Sequence, residues 1–358
     1  MAEGLGQSET VIAMTGEVGL TVVIGSYIEP ELAKRIGDAG HVARVIYEPE
    51  LLPVPGYTGD HNGPQRELGD ADLDRWRALA AQADVYFDFD WLDPAGMPER
   101  SPRLRWIQAT RAGIGGFMQR TGLDESDLLV TTAAGIHAVP LSEFAVLGAL
   151  YFVKGLPELR HRQRAHHWER YTTNQLAGRR ALVVGLGGIG REVAASFAAL
   201  GVEVWGLGRT GASYQVPGVT RVITAAELGE ALPGTGVLVL ACPLTRQTEG
   251  LIGPRELAAL PADAVLVNVA RGQIVDQAAL VAALRDGRLA GACLDAFSVE
   301  PLPPDDPLWD LDNVIISPHS ASTVATENEA LVDLFLENLG RLVAGNPLRN
   351  VYVPARGY

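Results

Sequence analysis

From Ala181 onward, short apolar runs alternate with stretches of helical periodicity. The runs read ALVV, VEVW, VLVLA, AVLVNV, ACLDAF and VIIS, and segments such as REVAASFAAL and DQAALVAALRDG lie between them. Apolar runs rich in Val and Ile, each followed by a helix, are typical of parallel strands that are covered on both faces. This half of the chain is therefore predicted to form an open parallel sheet.

The same rhythm occurs in the first part of the chain. Its apolar runs are TVVIG, ARVIYE, DVYFDFD, LRWIQA and LLVTT, with PELAKRIGDAG and DADLDRWRALAAQA as intervening helices. A chain of 358 residues, 47% of them hydrophobic, is long enough for two domains that each bury a core. The expected fold class is α/β, with two doubly wound parallel-sheet domains.

The composition excludes several classes of partner. The formal net charge is −14 and the isoelectric point is near 5.0, so neither nucleic acid nor a membrane surface is expected to bind. The longest apolar stretch, around Phe144 to Val153, is too short to span a membrane, and the N-terminus lacks the pattern of a secretory signal. Cys242 and Cys293 both lie in apolar runs. We therefore expect a cytoplasmic protein with buried thiols and no metal site.

A glycine-rich turn lies between the run ALVV and the helix REVAASFAAL. In this context Gly185 permits a tight turn, Gly187 lets the backbone approach a pyrophosphate, and Gly190 allows close packing of helix on strand. The helix N-terminus adds free N–H groups for an anion. A dinucleotide site that includes Gly188 and Ile189 is predicted, against the alternative of a glycine-rich turn without a ligand.

The end of the second strand in this half selects between the two nicotinamide dinucleotides. An acidic side chain there accepts hydrogen bonds from the ribose hydroxyls of NAD. The position falls at about Gly208, and Arg209 and Thr210 follow with a cation and a hydroxyl suited to a 2′-phosphate. NADP(H) is favoured; NAD(H) is the alternative, in which Arg209 is only a solvated loop charge. Glu203 lies too early in the strand to serve as the acceptor.

Three residues that suit hydroxy-acid chemistry follow three different strands. Arg271 follows AVLVNVA, Glu300 follows ACLDAFSV and His319 follows VIISP. The chemistry needs a cation for the substrate carboxylate, a base for the hydroxyl proton and a carboxylate that orients this base. Because parallel strands end at one edge of a sheet, these residues are predicted to converge beside the glycine turn, although each alone is more often an ordinary surface residue. The pair His166–His167 is interpreted as part of a solvated helix face.

These segments resemble the D-isomer-specific 2-hydroxyacid dehydrogenase family over most of the chain. The matching blocks are GLGGIGREVA, ACPLTRQTEGLI, NVARGQIVDQAAL, ACLDAFSVEPLP, SPHSAS and ENLGRLVAGNPLRN. The resemblance implies that Arg271 binds the substrate carboxylate and carbonyl, that His319 is the acid/base and that Glu300 pairs with it. Asp295 would contact the nicotinamide. Other cofactor contacts that the resemblance implies are Cys242 and Pro243 on the adenine side, Val269, Ala270 and Ser322.

The resemblance also implies a domain arrangement and an activity. A Rossmann cofactor domain, residues 140–321, would be inserted into a discontinuous flavodoxin-like substrate domain of residues 1–139 and 322–358, and the protein would be a homodimer. Arg209 and Thr210 resemble the NADPH-preferring glyoxylate and hydroxypyruvate reductases, so hydride transfer to or from C2 of a small 2-oxo or 2-hydroxy acid is expected. Two alternatives stay open: a dinucleotide-sensing corepressor of the same fold, and a dehydrogenase of another small anion such as phosphite.

Several segments of the first half bear on the substrate. The resemblance implies that Ala112 and Gly113 bind the substrate carboxylate through backbone N–H groups. Arg111 is an unusual extra charge beside them, which leaves the identity of the acid open. The segment Pro49 to Asp70 is predicted to be a long loop and a candidate lid, with Tyr57 as a candidate substrate contact.

The apolar residues from Pro140 to Leu156 run nearly all round a predicted helix. Such a helix is buried on most sides, so we interpret it as a link between lobes or as a subunit interface. A second long helix is predicted in ENEALVDLFLENLGRLVAG, after Ser322. If this last helix packs on the first lobe, that lobe is discontinuous.

Overall fold

The computed structural model describes residues 19–208 and 215–354. The strands in these ranges are β1 Leu20–Ile24, β2 Val42–Ile46, β3 Val85–Phe87, β4 Trp106–Gln108, β5 Leu129–Thr131, β6 Arg180–Val184, β7 Glu203–Leu207, β8 Val219–Ile223, β9 Val237–Leu240, β10 Val265–Asn268, β11 Gly291–Leu294 and β12 Val314–Ile316. The helices are α1 Pro30–Gly37, α2 Asp70–Ala80, α3 Met97–Arg100, α4 Gly115–Thr121, α5 Ala138–Val153, α6 Leu156–Arg164, α7 Gly188–Ala199, α8 Leu228–Ala231, α9 Pro254–Ala259, α10 Gln277–Arg285 and α11 Glu327–Val343.

Two compact units are present. Unit 1 comprises the described residues up to Ile136 together with those from Thr323 onward, and unit 2 comprises those of His137–Ser322. The sequence placed these two boundaries at residues 139/140 and 321/322. Which unit binds the substrate and which the cofactor stays a prediction.

Unit 1 is a five-stranded parallel sheet in the order β2-β1-β3-β4-β5. This is the doubly wound order of flavodoxin-like folds, in which the chain adds strands first on one side of β1 and then, from β3 onward, on the other side. Every residue of β3 and β4 is buried, because helices cover both faces and alternation of polar and apolar residues is not needed.

Helix α11 belongs to unit 1 although it is distant in sequence. One stripe of this helix, with Leu331, Phe335 and Leu339, is buried on the sheet. The Phe335 ring stacks on Trp106 with centroids 5.0 Å apart and meets Phe87 edge-on at 5.5 Å. Burying each such side chain contributes about 1.5–3 kcal/mol. Unit 1 is therefore discontinuous in sequence.

Unit 2 is a seven-stranded parallel sheet in the order β12-β11-β10-β9-β6-β7-β8. Counted from β6, this is the 3-2-1-4-5-6 order of dinucleotide-binding folds with a seventh strand added at one edge. The predicted fold class, two doubly wound parallel sheets, is confirmed. Strand β8 was not predicted, because its sequence VTRVI exposes Thr220 and Arg221 and so breaks the apolar run at the edge of the sheet.

Helix α5 packs directly on the sheet of unit 2. A Cβ added at Gly148 would lie 2.6 Å from the Cβ of Cys293 on β11, so only glycine allows this approach. The opposite side of α5 leaves Val139 and Leu147 about half exposed. No single helix in the described residues meets the length and hydropathy test for crossing a membrane; α5 and α6 meet it only together, with a 59° bend between them.

Both cysteines are buried free thiols, as predicted. Burial raises the pKa of Cys242 to about 11 and that of Cys293 to about 12. At neutral pH both side chains are therefore neutral packing residues rather than nucleophiles.

One interpretation of an exposed segment needs correction. Helix α6 ends at Arg164, so His166 and His167 lie beyond it, exposed, with His166 in the left-handed region at φ 52°. The segment from Pro49 to Asp70, predicted to be a long loop, begins with a short 3-10 helix, Pro49–Leu51, and buries Leu51 and Leu52. Tyr57 in this segment is 56% exposed; its contact with the substrate and the role of the segment as a lid stay predictions.

Candidate active site

The carboxyl ends of five neighbouring strands in unit 2 are aligned. Val184, Leu240, Asn268, Leu294 and Ile316 are register partners in the sheet, and each is the last residue of its strand. The segments that follow these strands therefore leave the sheet at one edge. Ligands of open parallel sheets bind at this edge.

The glycine turn follows β6 at this edge. Gly185 has φ +94°, and a Cβ there would meet the backbone of Cys242 at 2.6 Å. A Cβ on Gly190 would lie 1.8 Å from the carbonyl oxygen of Gly185, so α7 approaches the strand only because this residue is glycine. The predicted roles of these two glycines agree with this geometry.

The N-terminus of α7 has room for an anion. Gly187 is the residue before the helix, no side chain caps the helix, and a Cβ on Gly187 would meet nothing within 4 Å. Gly187 and Gly188 are exposed, and Ile189 is half-buried. Free N–H groups, the helix dipole and open space fit the pyrophosphate of a dinucleotide.

The cofactor-selecting segment is described only in part. Gly208 follows β7 and donates its N–H to the carbonyl of Ile223. Arg209 and Thr210 lie outside the described residues. Glu203 is engaged elsewhere, because it accepts hydrogen bonds from Arg180 and Trp205.

Asn268, which the sequence analysis did not select, shapes the turn that carries Arg271. Its side chain is 1% exposed, accepts the Ala270 N–H at 3.0 Å and donates to the Arg271 carbonyl at 3.0 Å. Val269 and Ala270 are buried, whereas Arg271 is exposed and uses one N–H on the Ala270 carbonyl at 2.7 Å. Its other N–H groups have no acceptor among the residues that the structure describes. An amide at the end of a buried strand was the available signal for Asn268.

His319 and Glu300 form a hydrogen-bonded pair. The Nδ1 of His319 lies 2.8 Å from Glu300 Oε2, and the other carboxylate oxygen accepts the Phe297 N–H at 2.9 Å. Both side chains are partly exposed, at 44% and 38%. His319 has φ +53°, a conformation that is uncommon outside glycine and that costs backbone energy unless the surrounding fold imposes it. The Nε2 atom has no partner among the residues in 19–208 and 215–354.

Asp295 holds the loop that presents this histidine. It is 3% exposed and accepts hydrogen bonds from the Ser317 hydroxyl at 2.6 Å and the Ala321 N–H at 2.9 Å. Burial raises the pKa of Asp295, and the Ser317 hydrogen bond opposes this shift. Ser322 follows this loop and is half-buried. The position of Asp295 beyond β11 agrees with a site residue, and its predicted contact with the nicotinamide stays a prediction.

Gln277 is a second residue near the site that the sequence analysis did not select. Its Oε1 accepts from the N–H and hydroxyl of Ser298, at 3.1 and 2.8 Å, and its Nε2 donates to Asp306 at 2.7 Å. The Phe297–Ser298 backbone also lies against Gly272, where a Cβ would come within 1.8 Å. Gln277 therefore positions the segment that leads to Glu300, a role that no local pattern signals.

The predicted substrate contacts in unit 1 lie just beyond β4. Ala112 is half-buried and Gly113 is exposed. Neither backbone N–H has an acceptor among the described residues, which suits an anion-binding role. Pro243 in unit 2 is exposed beside the buried Cys242.

The arrangement in unit 2 has the parts of a dehydrogenase site. Three features follow strands that end at this edge: a glycine turn with room for an anion, an exposed arginine, and a histidine hydrogen-bonded to a carboxylate. The described residues hold no group of three or more His, Cys, Asp or Glu that suits a metal. Fold and site together define a nicotinamide-dependent oxidoreductase.

Comparisons with known proteins identify the family within this class. Residues 146–321 match the family described as D-isomer specific 2-hydroxyacid dehydrogenase, NAD binding domain. The chain is 34% identical over 302 residues to glyoxylate/hydroxypyruvate reductase A of Klebsiella pneumoniae strain 342, covering 82% of this chain and 94% of the reductase. The chain belongs to the D-isomer-specific 2-hydroxyacid dehydrogenase family, whose members are oxidoreductases that act on CH–OH donors.

Two further similar proteins differ in how much of their own length the match covers. A D-isomer specific 2-hydroxyacid dehydrogenase from Xanthobacter autotrophicus Py2, solved in complex with NADPH and MES, has a TM-score of 0.74 and 30% identity, covering 95% of this chain and 100% of its own. D-3-phosphoglycerate dehydrogenase of Archaeoglobus fulgidus is 30% identical over 243 residues, which span 67% of this chain but only 46% of that longer enzyme.

Proposed function

We propose that this protein transfers a hydride between NADP(H) and C2 of a small 2-oxo or 2-hydroxy acid, and that glyoxylate and hydroxypyruvate are turned over. The observation that carries the proposal is the His319–Glu300 pair at the sheet edge that also bears the glycine turn. The similarity to a glyoxylate/hydroxypyruvate reductase supports the choice of acid. Arg209 and Thr210, together with the NADPH complex of the Xanthobacter relative, support NADP(H) over NAD(H).

In the reductive direction, the Arg271 guanidinium binds the substrate carboxylate through paired charge-assisted hydrogen bonds and orients the C2 carbonyl. The nicotinamide, when bound, supplies the hydride to C2. As charge develops on the carbonyl oxygen, protonated His319 donates the Nε2 proton to it, and Glu300 stabilises the imidazolium through Nδ1. In the oxidative direction, neutral Nε2 accepts the hydroxyl proton.

Other predicted contacts complete the proposal. The N–H groups at Gly187 and Gly188 hold the pyrophosphate, Cys242 and Pro243 line the adenine side, and Asp295 keeps the 317–321 segment in place. Val269, Ala270 and Ser322 are the remaining proposed cofactor contacts, and Ala112 and Gly113 are the proposed substrate contacts. A homodimer in the cytoplasm stays a prediction.

The test is a steady-state screen of the purified protein. NADPH and NADH are each paired with glyoxylate, hydroxypyruvate, pyruvate and bulkier 2-oxo acids, with NAD(P)-linked phosphite oxidation as a separate arm. We expect NADPH oxidation with the small acids and a higher kcat/KM with NADPH than with NADH. Tight binding of the dinucleotide without turnover of any acid would instead favour a sensor, and turnover of phosphite alone would favour the other dehydrogenase.

A further inference from the structure

A polar cluster lies at the carboxyl edge of the unit 1 sheet, where β1 and β3 end side by side. Ser26 follows β1 and Asp88 follows β3. The two segments touch, because the Gly25 N–H donates to the Phe87 carbonyl at 2.8 Å and a Cβ on Gly25 would overlap the Phe89 carbonyl oxygen. The chain passes here from one side of β1 to the other, and doubly wound sheets bind ligands at such a point.

Asp88 contributes a carboxylate whose charge is not compensated. The residue is 5% exposed, and its Oδ1 atom is buried and accepts no hydrogen bond from any residue that the structure describes. Asp90, which is buried nearby in the sequence, is instead fully paired, since it accepts from Trp76 and Arg100 at 2.9 Å each. A buried charge without a partner is costly. Asp88 Oδ1 therefore indicates a missing donor.

Asn328 contributes a second acceptor of the same kind. The residue is 2% exposed, and its Nδ2 donates to Glu29 Oε2 at 2.9 Å. Because a carboxylate only accepts, this contact fixes the orientation of the amide and leaves Oδ1 as an acceptor. Oδ1 is buried and has no donor within the described ranges of the chain. Most buried side-chain polar atoms have a partner, so this atom also indicates a missing donor.

His61 is the third group of the cluster. Its Nδ1 lies 3.0 Å from the Ser26 hydroxyl, and its buried Nε2 makes no hydrogen bond with a described residue. Burial lowers the pKa of His61, so the ring is neutral at neutral pH, although Asp88, Glu327 and the Asn328 side chain favour its protonated form. Since Asp88 and Asn328 both act on this ring, the three unpartnered groups belong to one site.

Charge and hydrogen-bonding type select the occupant. Asp88 Oδ1 and Asn328 Oδ1 only accept, and His61 Nε2 accepts when Nδ1 donates to the Ser26 hydroxyl. An anion would be repelled, because the charged groups that act most strongly on His61 are carboxylates. A water molecule would leave the Asp88 charge uncompensated. A protonated amine supplies three N–H donors together with a positive charge.

We propose that Ser26, His61, Asp88 and Asn328 form a binding site for an ammonium group, either the free ammonium ion or the head of a small primary amine. The group donates one N–H to each of the three acceptors, and Asp88 balances its charge. The site lies within unit 1. It shares no residue with the proposed dinucleotide and hydroxy-acid contacts, so amine binding does not depend on the proposed activity.

Thermal unfolding of the full-length protein measures this binding without turnover. Ammonium chloride, methylammonium chloride and potassium chloride each replace tetramethylammonium chloride, whose cation has no N–H donor, at constant ionic strength and neutral pH. We expect a saturable rise in Tm of about 2–6 °C with ammonium or methylammonium and a smaller rise with potassium. The arm with the larger rise distinguishes the free ion from an amine head. Isothermal titration calorimetry with the same salts measures the affinity directly.

Variants locate the site. Asp88 has φ +66°, a conformation that asparagine also tolerates, so Asp88→Asn preserves the backbone. D88N should lose the ammonium response, and its Tm in tetramethylammonium chloride should be no lower than that of the wild type, because an unpaired buried charge is removed. Asn328→Leu should lose the response as well and gives a second test. Asp72→Asn, an exposed carboxylate of α2, is the matched control and should keep it.

Each outcome decides for or against the site. A rise in Tm that requires N–H donors, disappears in D88N and N328L and persists in D72N supports it. An equal Tm in all salts would show that only water occupies the cluster and would overturn the proposal. Equal rises with potassium and ammonium would show recognition of charge without hydrogen bonding, which contradicts an ammonium site, and so would a full response in D88N.

Discussion

The two sheets have the same parallel, doubly wound design, yet they place histidine in opposite environments at their carboxyl edges. In unit 2, His319 is 44% exposed and paired with a carboxylate. In unit 1, the Nδ1 of His61 contacts the Ser26 hydroxyl at 3.0 Å, and its buried Nε2 has no hydrogen-bond partner within 19–208 and 215–354. Burial lowers the pKa of His61, although Asp88 and Glu327 oppose this shift. One architecture therefore supports a partly exposed histidine paired with a carboxylate and a buried histidine whose pKa is lowered.

The arginines at the two edges differ in a parallel way. Arg271 is exposed and donates to one backbone carbonyl, whereas Arg111 is half-buried on an aromatic ring and its Nε has no acceptor in the described part of the chain. Water hydrates the first guanidinium when no ligand is present, but it reaches the Nε of the second poorly. The comparison predicts that substitutions at the unit 2 edge change turnover, whereas those at the unit 1 edge change selectivity or stability.

The largest effect is expected from His319→Ala. Loss of the proton donor should reduce kcat by about 10² to 10⁴ while dinucleotide affinity stays within about twofold, because general acid/base groups contribute this much to the rate. Steady-state kinetics and cofactor titration by fluorescence measure the two quantities. His161→Ala, an exposed histidine on α6, is the matched control and should retain activity. A comparable loss of cofactor affinity in H319A would contradict the proposed division of roles.

Glu300→Gln should reduce kcat by about 10- to 100-fold, since it removes the charge that orients and stabilises the imidazolium. Combined with His319→Ala, the same change should have little further effect, because Glu300 acts through the histidine. The measurement is a double-mutant cycle on kcat. Additive losses would show that Glu300 acts independently, and Glu249→Gln, an exposed carboxylate of the same unit, should leave the rate unchanged.

The glycine turn offers a test that separates packing from binding. Gly190→Ala should lower Tm by about 3–10 °C, because its Cβ would overlap the Gly185 carbonyl. Gly187→Ala has open space and φ −76°, so its Tm should be unchanged while the KM for the dinucleotide rises about tenfold. Thermal unfolding and cofactor kinetics report the two effects. A normal KM in Gly187→Ala would indicate that the pyrophosphate does not approach at this residue.

The smallest effect concerns His61 and stability. Its pKa is lower in the folded protein than in the unfolded chain, so the unfolded state binds the proton first as the pH falls. The contribution of neutral His61 is fully present above the unfolded value of 6.5 and is lost as the pH falls through the folded pKa. The slope is at most about 1.4 kcal/mol per pH unit.

Urea unfolding at several pH values, read by pulsed hydrogen exchange in peptides from β1 and β3, measures this slope. His61→Asn should flatten it between about pH 6.5 and the folded pKa. The exposed His161→Asn should not change it. An unchanged slope in H61N would show that the unit 1 histidine is no more protected from protonation than an exposed one.

Much of the site was predictable because the apolar runs of the sequence show where each strand ends. The apolar runs located β6, β9, β10, β11 and β12, and the residues after them fall at one edge of any parallel sheet. Gly185 and Gly190 were predictable for a related reason, since a strand-turn-helix of this length leaves no room for a side chain at either position.

What the sequence determined by itself is thus the order of strands and helices and the residues that follow each strand, because apolar periodicity and turn chemistry are local. The tertiary structure alone decided that Asn268 and Gln277 brace the site loops and that β8 extends the sheet. It also decided that the Arg111 guanidinium lies over the Phe117 ring, with a buried Nε that has no hydrogen-bond acceptor among the described residues. Partners and burial come from residues distant in sequence, and no local pattern encodes which of them meet.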